Sequence, residues 1–167
     1  MREAPSSPDW KPFVYRRPIG WGDTDAARIV YTGRFADFAL EAIEGWFRDR
    51  LGTDWYRLNV DERIGSPFVH LSLDFERPVT PRDAVDVTVL LRKAGRSSLT
   101  FAFAGASATG AKRLFHGKGV CVFVDTRTMK STPVPDRYRP AVEREAAAAQ
   151  AVAVEPPRLS RGQRSSE

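Results

Sequence analysis

The feature that most constrains this chain is a change in the spacing of its apolar residues. Phe35, Phe38, Ala39, Ala42, Ile43, Trp46 and Phe47 recur three and four apart, with Asp37, Glu41, Glu44, Arg48 and Asp49 between them and Gly52 placed to cap the run. That is one face of a helix with its C-terminal stop. From Pro67 the spacing becomes two: Val69, Leu71, Leu73 and Phe75 alternate with Phe68, His70, Ser72, Asp74 and Glu76, as in a strand with two distinct faces. Pro78 and Pro81 end it, and Thr80-Pro81-Arg82-Asp83 reads as a turn. The same alternation returns at Val85, Val87, Val89 and Leu91, at Leu99, Phe101 and Phe103, and at Val120, Val122 and Val124, with a hairpin at Ala108-Thr109-Gly110-Ala111. A wide aromatic helix stripe needs a large cover, and only strands follow it. The expected fold is α+β, an antiparallel sheet wrapped around one long central helix.

The flanks fit one domain, the expectation for 167 residues. Residues 1–12 carry Pro, Ser and charge and read as a flexible lead. Phe13 to Pro18 alternates and reads as a first short strand, opening a domain over 13–140; Thr53 to Ser66 reads as a short helical turn plus loop. Residues 141–167 read as a tail, helix-permissive with a thin apolar face up to Val154, then disordered, since Leu159 is the one large apolar residue from Pro156 onward.

Composition excludes several classes. With 42% hydrophobic and 28% charged residues the chain is an ordinary soluble protein. No window approaches the roughly 18 apolar residues of a membrane span, and MREAPSSPDWKPF lacks the apolar core of a secretory signal. One cysteine, Cys121, rules out an intramolecular disulfide and, with only two histidines, argues against a Cys/His metal site, so a reducing, cytoplasmic setting is expected. Of the net charge of +5, the last twelve residues hold +2, from Arg158, Arg161 and Arg164 against Glu167. The remaining excess is mild and forms no basic stripe with interleaved aromatics, so neither nucleic acid nor membrane is an expected partner. Scattered Arg and Lys would suit a small molecule with several phosphates.

Chemistry concentrates just before the helix, in Trp21-Gly22-Asp23-Thr24-Asp25-Ala26-Ala27-Arg28-Ile29-Val30-Tyr31-Thr32-Gly33-Arg34-Phe35. Two carboxylates lie in a polar loop, an Ile-Val-Tyr run follows, and then the helix begins. The first N–H groups of a helix lack intrahelical partners and carry partial positive charge, which favours an oxyanion there. A carboxylate beside such a donor suits acyl transfer.

The run GDTDAARIVYTGRF resembles the signature G-D-x-D-x-x-G-x-V-Y of the 4-hydroxybenzoyl-CoA thioesterase family of hotdog-fold hydrolases. PFVHLSLDFERPVTPRDAV, GRSSLTFAFA and GVCVFVDTRTMKSTPVP are similar to that family's later strands, in its order, so the likeness covers residues 13 to 140. It implies a hotdog fold, a catalytic carboxylate on Asp25, an oxyanion donor in the backbone N–H near Thr32, and Tyr31 within the catalytic motif. It further implies that the turn Arg92, Lys93, Arg96, Ser97 and Ser98, often reaching over from a neighbouring subunit, approaches coenzyme A, where guanidinium groups suit phosphates. Two positions depart from the family: Arg28 stands at its usual Gly, and Thr32 where His or Tyr is common. A backbone donor survives the second change. The first bears on backbone conformation and substrate shape, because Gly serves where φ is positive or a ligand approaches closely.

Each candidate has a plainer reading. Asp23 and Asp25 could cap turns, and for Asp23 the structural role is favoured. Glu41 and Glu44 matter because another group of hotdog thioesterases carries its carboxylate on the central helix, although a solvated helix face accounts for both. His70 could assist as a base or sit as a hydrogen-bonded structural residue. His116 carries no partner signal, and Cys121 reads as a small buried or interface residue.

The implied reaction is hydrolysis of a small aryl or short, branched acyl-CoA thioester. The helix end polarises the carbonyl, and Asp25 either attacks it, giving a mixed anhydride, or activates water. No cofactor or metal is required. An open sheet leaves an edge to cover, so a homodimer or a homotetramer built of two dimers is expected. A hydratase or dehydratase, or a non-catalytic acyl-CoA-binding module, are the alternatives on the same fold.

Overall fold

A computed structural model describes residues 10–109, 112–150 and 152. Its elements are β1 (Phe13–Pro18), α1 (Arg34–Leu51), β2 (Ile64–Gly65), β3 (Phe68–Phe75), β4 (Ala84–Ala94), β5 (Ser98–Ser107), β6 (Arg113–Val122), β7 (Val124–Asp125) and α2 (Arg139–Ala149). Five strands form one antiparallel sheet in the order β1-β4-β5-β6-β3, and β2 pairs separately with β7. The helix-then-meander pattern thus becomes a sheet around a helix.

Helix α1 lies in the concave face. Phe38, Ala39, Ala42, Ile43, Trp46 and Phe47 are each at most 1% exposed and meet Val87, Val89, Phe101, Phe103 and Phe115 in a single core. The rings pack edge-on or tilted, with Trp46 at 5.1 Å from Phe101 and Phe35 at 5.1 Å from Phe115, the offset geometry aromatic quadrupoles prefer. Gly52 caps the helix at φ 65°, a left-handed conformation that costs glycine little.

Helix α2 begins with Pro at its first turn and buries Val142, Ala146 and Ala149. β1 covers β4 only as far as Val89. Beyond that point α2 takes over: Arg92 donates to the carbonyl of Ala149, Gln150 to that of Arg92, and Arg139 to those of Gly95 and Arg96. Buried Glu145 accepts the Trp10 indole N–H at 3.1 Å and faces Arg50.

Three local expectations change. Between Phe68 and His70 the register slips by a bulge, so Phe68, Leu71 and Leu73 face the core while Val69 is 64% exposed; one inserted residue moves the following positions to the other face. In β6 the alternation holds but its phase is reversed. Phe115 and Cys121, and Phe123 just after the strand, enter the core, whereas Val120 and Val122 stand opposite Thr100 and Ser98, half-buried; Val124, the last of the expected run, is buried but lies in β7. The stretch Thr53–Ser66 holds a π-helical turn at Arg57–Asp61 as well as β2. Residues 1–9 of the expected lead, 110–111 of the expected hairpin, and 151 and 153–167 of the expected tail lie outside the described residues.

Close strand packing can be tested at Gly117 of β6. A Cβ there would lie 2.1 Å from the Ser72 carbonyl oxygen and 2.6 Å from the Phe103 ring, whereas a Cβ at Gly22 meets nothing within 4 Å. Gly117→Ala is expected to cost about 1–3 kcal/mol, and Gly22→Ala to stay within about 0.5 kcal/mol. Urea denaturation decides: equal midpoints for the two variants would refute the clash.

Candidate active site

The segment between β1 and α1 folds as a miniature hairpin. Tyr31 N–H donates to the Asp23 carbonyl at 2.9 Å, Asp25 N–H to that of Ile29 at 3.1 Å, and Thr24 bridges Val30. Asp25 stands where the turn starts, with Arg28 N–H returning to its carbonyl at 2.9 Å. Arg28 has φ 61°, the left-handed residue that a three- or four-residue hairpin turn needs at its end. This is the physical reason for a glycine there, and Arg28 meets the same demand at some cost. The hairpin docks on the segment before β4 through Val30 N–H to Val79 at 2.8 Å and Ile19 N–H to Asp83 at 3.2 Å.

Asp25 is exposed, and one carboxylate oxygen accepts the Ala27 N–H at 2.8 Å. The other oxygen meets no donor among the described residues. Across the hairpin the chain turns into α1, with Tyr31 accepting from Arg34 and Thr32 from Phe35. The N–H groups of Thr32 and Gly33 find no acceptor among the described residues. Gly33 lies close under its neighbour, since a Cβ would stand 2.7 Å from the exposed Tyr31 ring, which would have to shift to admit it. Asp25, Tyr31, Gly33, Arg34 and Asp37 line, with Gly22 and Thr24, a depression of about 460 Å³. Asp25, with its free carboxylate oxygen, and Gly33, with its unpaired N–H, line one opening, an arrangement suited to attack on a polarised carbonyl, whereas Thr32 is not among the lining residues.

Beneath the hairpin sits a charge cluster. Arg17 of β1 spans both oxygens of Asp23, at 2.5 and 3.1 Å, and reaches Glu41 of α1 at 3.1 Å. Burial alone would raise the Asp23 carboxyl, but Arg17, the Gly20 N–H and Arg34 outweigh it and hold it below the ordinary carboxylate range. Asp23 is therefore a structural anion. Glu41 is bound by Arg17 and Glu44 by Arg48 at 3.0 Å, and neither lines the depression.

The remaining candidates lie elsewhere in the chain. Arg92, Lys93, Arg96, Ser97 and Ser98 sit where β4 turns into β5, with Arg92 engaged at the end of α2. The hairpin docks at the opposite end of β4, about 26 Å away at strand rise, so one chain does not bring this cluster to Asp25. His70 is exposed on edge strand β3, opposite Val120. His116 has the acidic neighbours its sequence did not signal, Glu76 at 3.0 Å and Asp74 at 3.6 Å. Cys121 is buried, and burial pushes its thiol up to about 12, far from nucleophilic range.

Residues the sequence reading did not single out complete the picture. Arg34 in the first turn of α1 opposes the helix dipole, which was a legible anomaly; it pairs with Asp37 at 3.1 Å and lies 3.8 Å from Asp23. One turn beyond Asp37, Leu40 lines a separate cavity of about 330 Å³ with Trp55, Pro67, Phe68, Val124 and Met129, edged by Asn59, Gly65, Ser66 and Thr126. The two openings follow one another along the outer side of α1.

Two measurements test this geometry. Arg28→Gly is expected to raise stability by up to about 1 kcal/mol by relieving the left-handed strain, and a stability loss in denaturation would refute that account. The folded-state pKa of Asp23 is depressed, so its contribution is present above the unfolded value near pH 4 and is lost as pH falls through the folded value. The stability gap between wild type and Asp23→Asn should accordingly close as pH is lowered from 7 toward 2; a gap independent of pH would contradict it.

Comparison with known proteins identifies the family of the fold. Residues 19–143 match the model of the thioesterase-like superfamily. A thioesterase-superfamily structure from Jannaschia sp. CCS1 shares 37% identity, covering 87% of this chain and 97% of that one, with a TM-score of 0.74. The 1,4-dihydroxy-2-naphthoyl-CoA hydrolase of Picosynechococcus is 37% identical over 45% of this chain, a match spanning about half (51%) of that relative. The Synechocystis hydrolase of the same name is 27% identical over 78% of this chain and 94% of its own length. A gentisyl-coenzyme A thioesterase structure is 25% identical, covering 75% of this chain and 98% of that one, with a TM-score of 0.68. The chain belongs to the thioesterase-like superfamily, a hotdog-fold protein of the thioester hydrolase class.

Proposed function

We propose that the protein is an acyl-CoA thioesterase of the 4-hydroxybenzoyl-CoA thioesterase type, hydrolysing a small aryl or short, branched acyl-CoA to free acid and coenzyme A. The observation that carries this reading is the opening lined both by Asp25, with its exposed carboxylate, and by Gly33, whose N–H is unpaired at the start of α1, next to Thr32. Relatives named for 1,4-dihydroxy-2-naphthoyl-CoA and gentisyl-CoA support the aryl choice, as does the apolar cavity one helical turn away.

The thioester carbonyl oxygen lies toward the Thr32 N–H, which stabilises negative charge developing there. Asp25 either attacks the carbon, expelling the coenzyme A thiolate and leaving a mixed anhydride that water then hydrolyses to the free acid, or draws from the attacking water a proton that the departing thiolate takes up. Tyr31 shapes the wall of the site.

The working unit of this reading is a homodimer or a tetramer of two dimers in a reducing, cytoplasmic setting. β3 has no strand on its outer side among the described residues and exposes Val69 and Phe75 at 64% and 50%, an edge that a second copy would cover. In that assembly His70 and the Arg92–Ser98 turn of one subunit approach the coenzyme A held by its neighbour.

Free-thiol release from aryl, short, branched and long acyl-CoA thioesters tests the reading. One class is expected to turn over, and Asp25→Asn is expected to lower kcat by about 10²–10⁴-fold while the oligomer persists. A wild type that binds these thioesters without releasing thiol would be a binding module instead; full activity in Asp25→Asn would remove the carboxylate from the mechanism. Activity is also expected to fall with dilution to monomer, and an active monomer in light scattering and assay would sink the shared-site reading.

A further inference from the structure

Resting on the role given to Asp25 above, we propose that Arg17 is the positioning residue of this site, setting the Asp25 carboxylate against the helix-start N–H groups. Arg17 lies on β1 with its side chain 19% exposed. Its fork donates to both oxygens of Asp23, its Nε to Glu41 and a further N–H to the Pro18 carbonyl at 3.0 Å, while the guanidinium lies 4.2 Å over the Phe38 ring. One side chain therefore ties the edge strand, the hairpin and α1 together.

Asp23 passes this constraint to both halves of the site. Its carboxylate is held by Arg17 and the Gly20 N–H at 2.9 Å, and its main-chain carbonyl accepts the Tyr31 N–H. It stands two residues before Asp25 and, across the hairpin, beside the residue preceding Thr32. A shift of Asp23 moves the carboxylate limb and the donor limb together. Glu41 supplies the reference point, two turns into α1 from the helix start.

Lysine cannot replace this fork. Two parallel bonds to one carboxylate, a third partner at Nε and a flat face over an aromatic ring need guanidinium geometry. Arg34 is no substitute, since it is about half exposed and shared with Asp37. Chemistry that depends on near-attack placement loses about 10²-fold for a displacement of about 1 Å.

The test compares wild type with Arg17→Lys, and with Arg16→Lys as a control, because Arg16 lies on the other face of β1 paired with Asp86. Steady-state thiol release, thermal melting and amide hydrogen exchange are measured on each full chain. For Arg17→Lys, kcat should fall about 10–100-fold with KM within about threefold, and the Tyr31 and Asp25 amides should exchange faster while the amides of α1 keep their protection. Arg16→Lys should match wild type. Unchanged kcat in a folded Arg17→Lys overturns the proposal, as does a loss of protection spread over the whole chain, which would mark a general stabilising role. A wild type that releases no thiol would defeat the thioesterase reading. The clamp then rests on exchange alone, supported by faster exchange at Tyr31 and overturned by unchanged exchange.

Discussion

Burial of the aromatic side of α1 against the curved sheet is the constraint from which the rest of the molecule follows. The rings of Phe38, Trp46 and Phe47 are almost completely withdrawn from water, and each such side chain contributes about 1.5–3 kcal/mol. Because the helix cannot rotate without exposing them, its axis and both its ends are fixed. The N-terminal end is where donors without partners are useful, so the packing that stabilises the fold also aims the site.

The hairpin preceding the helix works under a second constraint, electrostatic rather than apolar. An exposed carboxylate must stay free next to a region already holding Asp23, Asp37 and Glu41. Placing Arg17 and Arg34 among these acids gives alternating signs from Glu41 through Arg17, Asp23 and Arg34 to Asp37. Asp25 lies outside this chain of pairs, with one oxygen on a backbone N–H and the other unengaged. The acids that anchor and the acid that faces the opening are thus separated by what each touches.

Much of this was legible in the sequence, and the gaps have physical causes. The spacing of Phe35 to Phe47 carried the helix, and the alternations carried five strands, because period is a local property. Phase is not local. The bulge at Val69 and the reversed faces of β6 depend on cross-strand partners, and valines beside Cys121 look equally suited to either side. The motif indicated the place of Asp25, and the helix start indicated the donors. Arg17 was invisible as a site element, since its partners lie six and 24 residues away and no spacing rule joins them. The Arg92–Ser98 turn read as near the chemistry through family likeness, whereas the length of β4 keeps it at the far end of its own chain.

Cys121 has a practical consequence. Sealed between β5 and β3, with its thiol pushed up to about 12 by burial, the protein's single cysteine is expected to resist thiol reagents in the native state. A cysteine introduced at a solvent-facing hairpin position such as Ala26 would be the sole reactive sulfur on the folded chain. A fluorophore there would report on the surroundings of that turn without a background label to subtract.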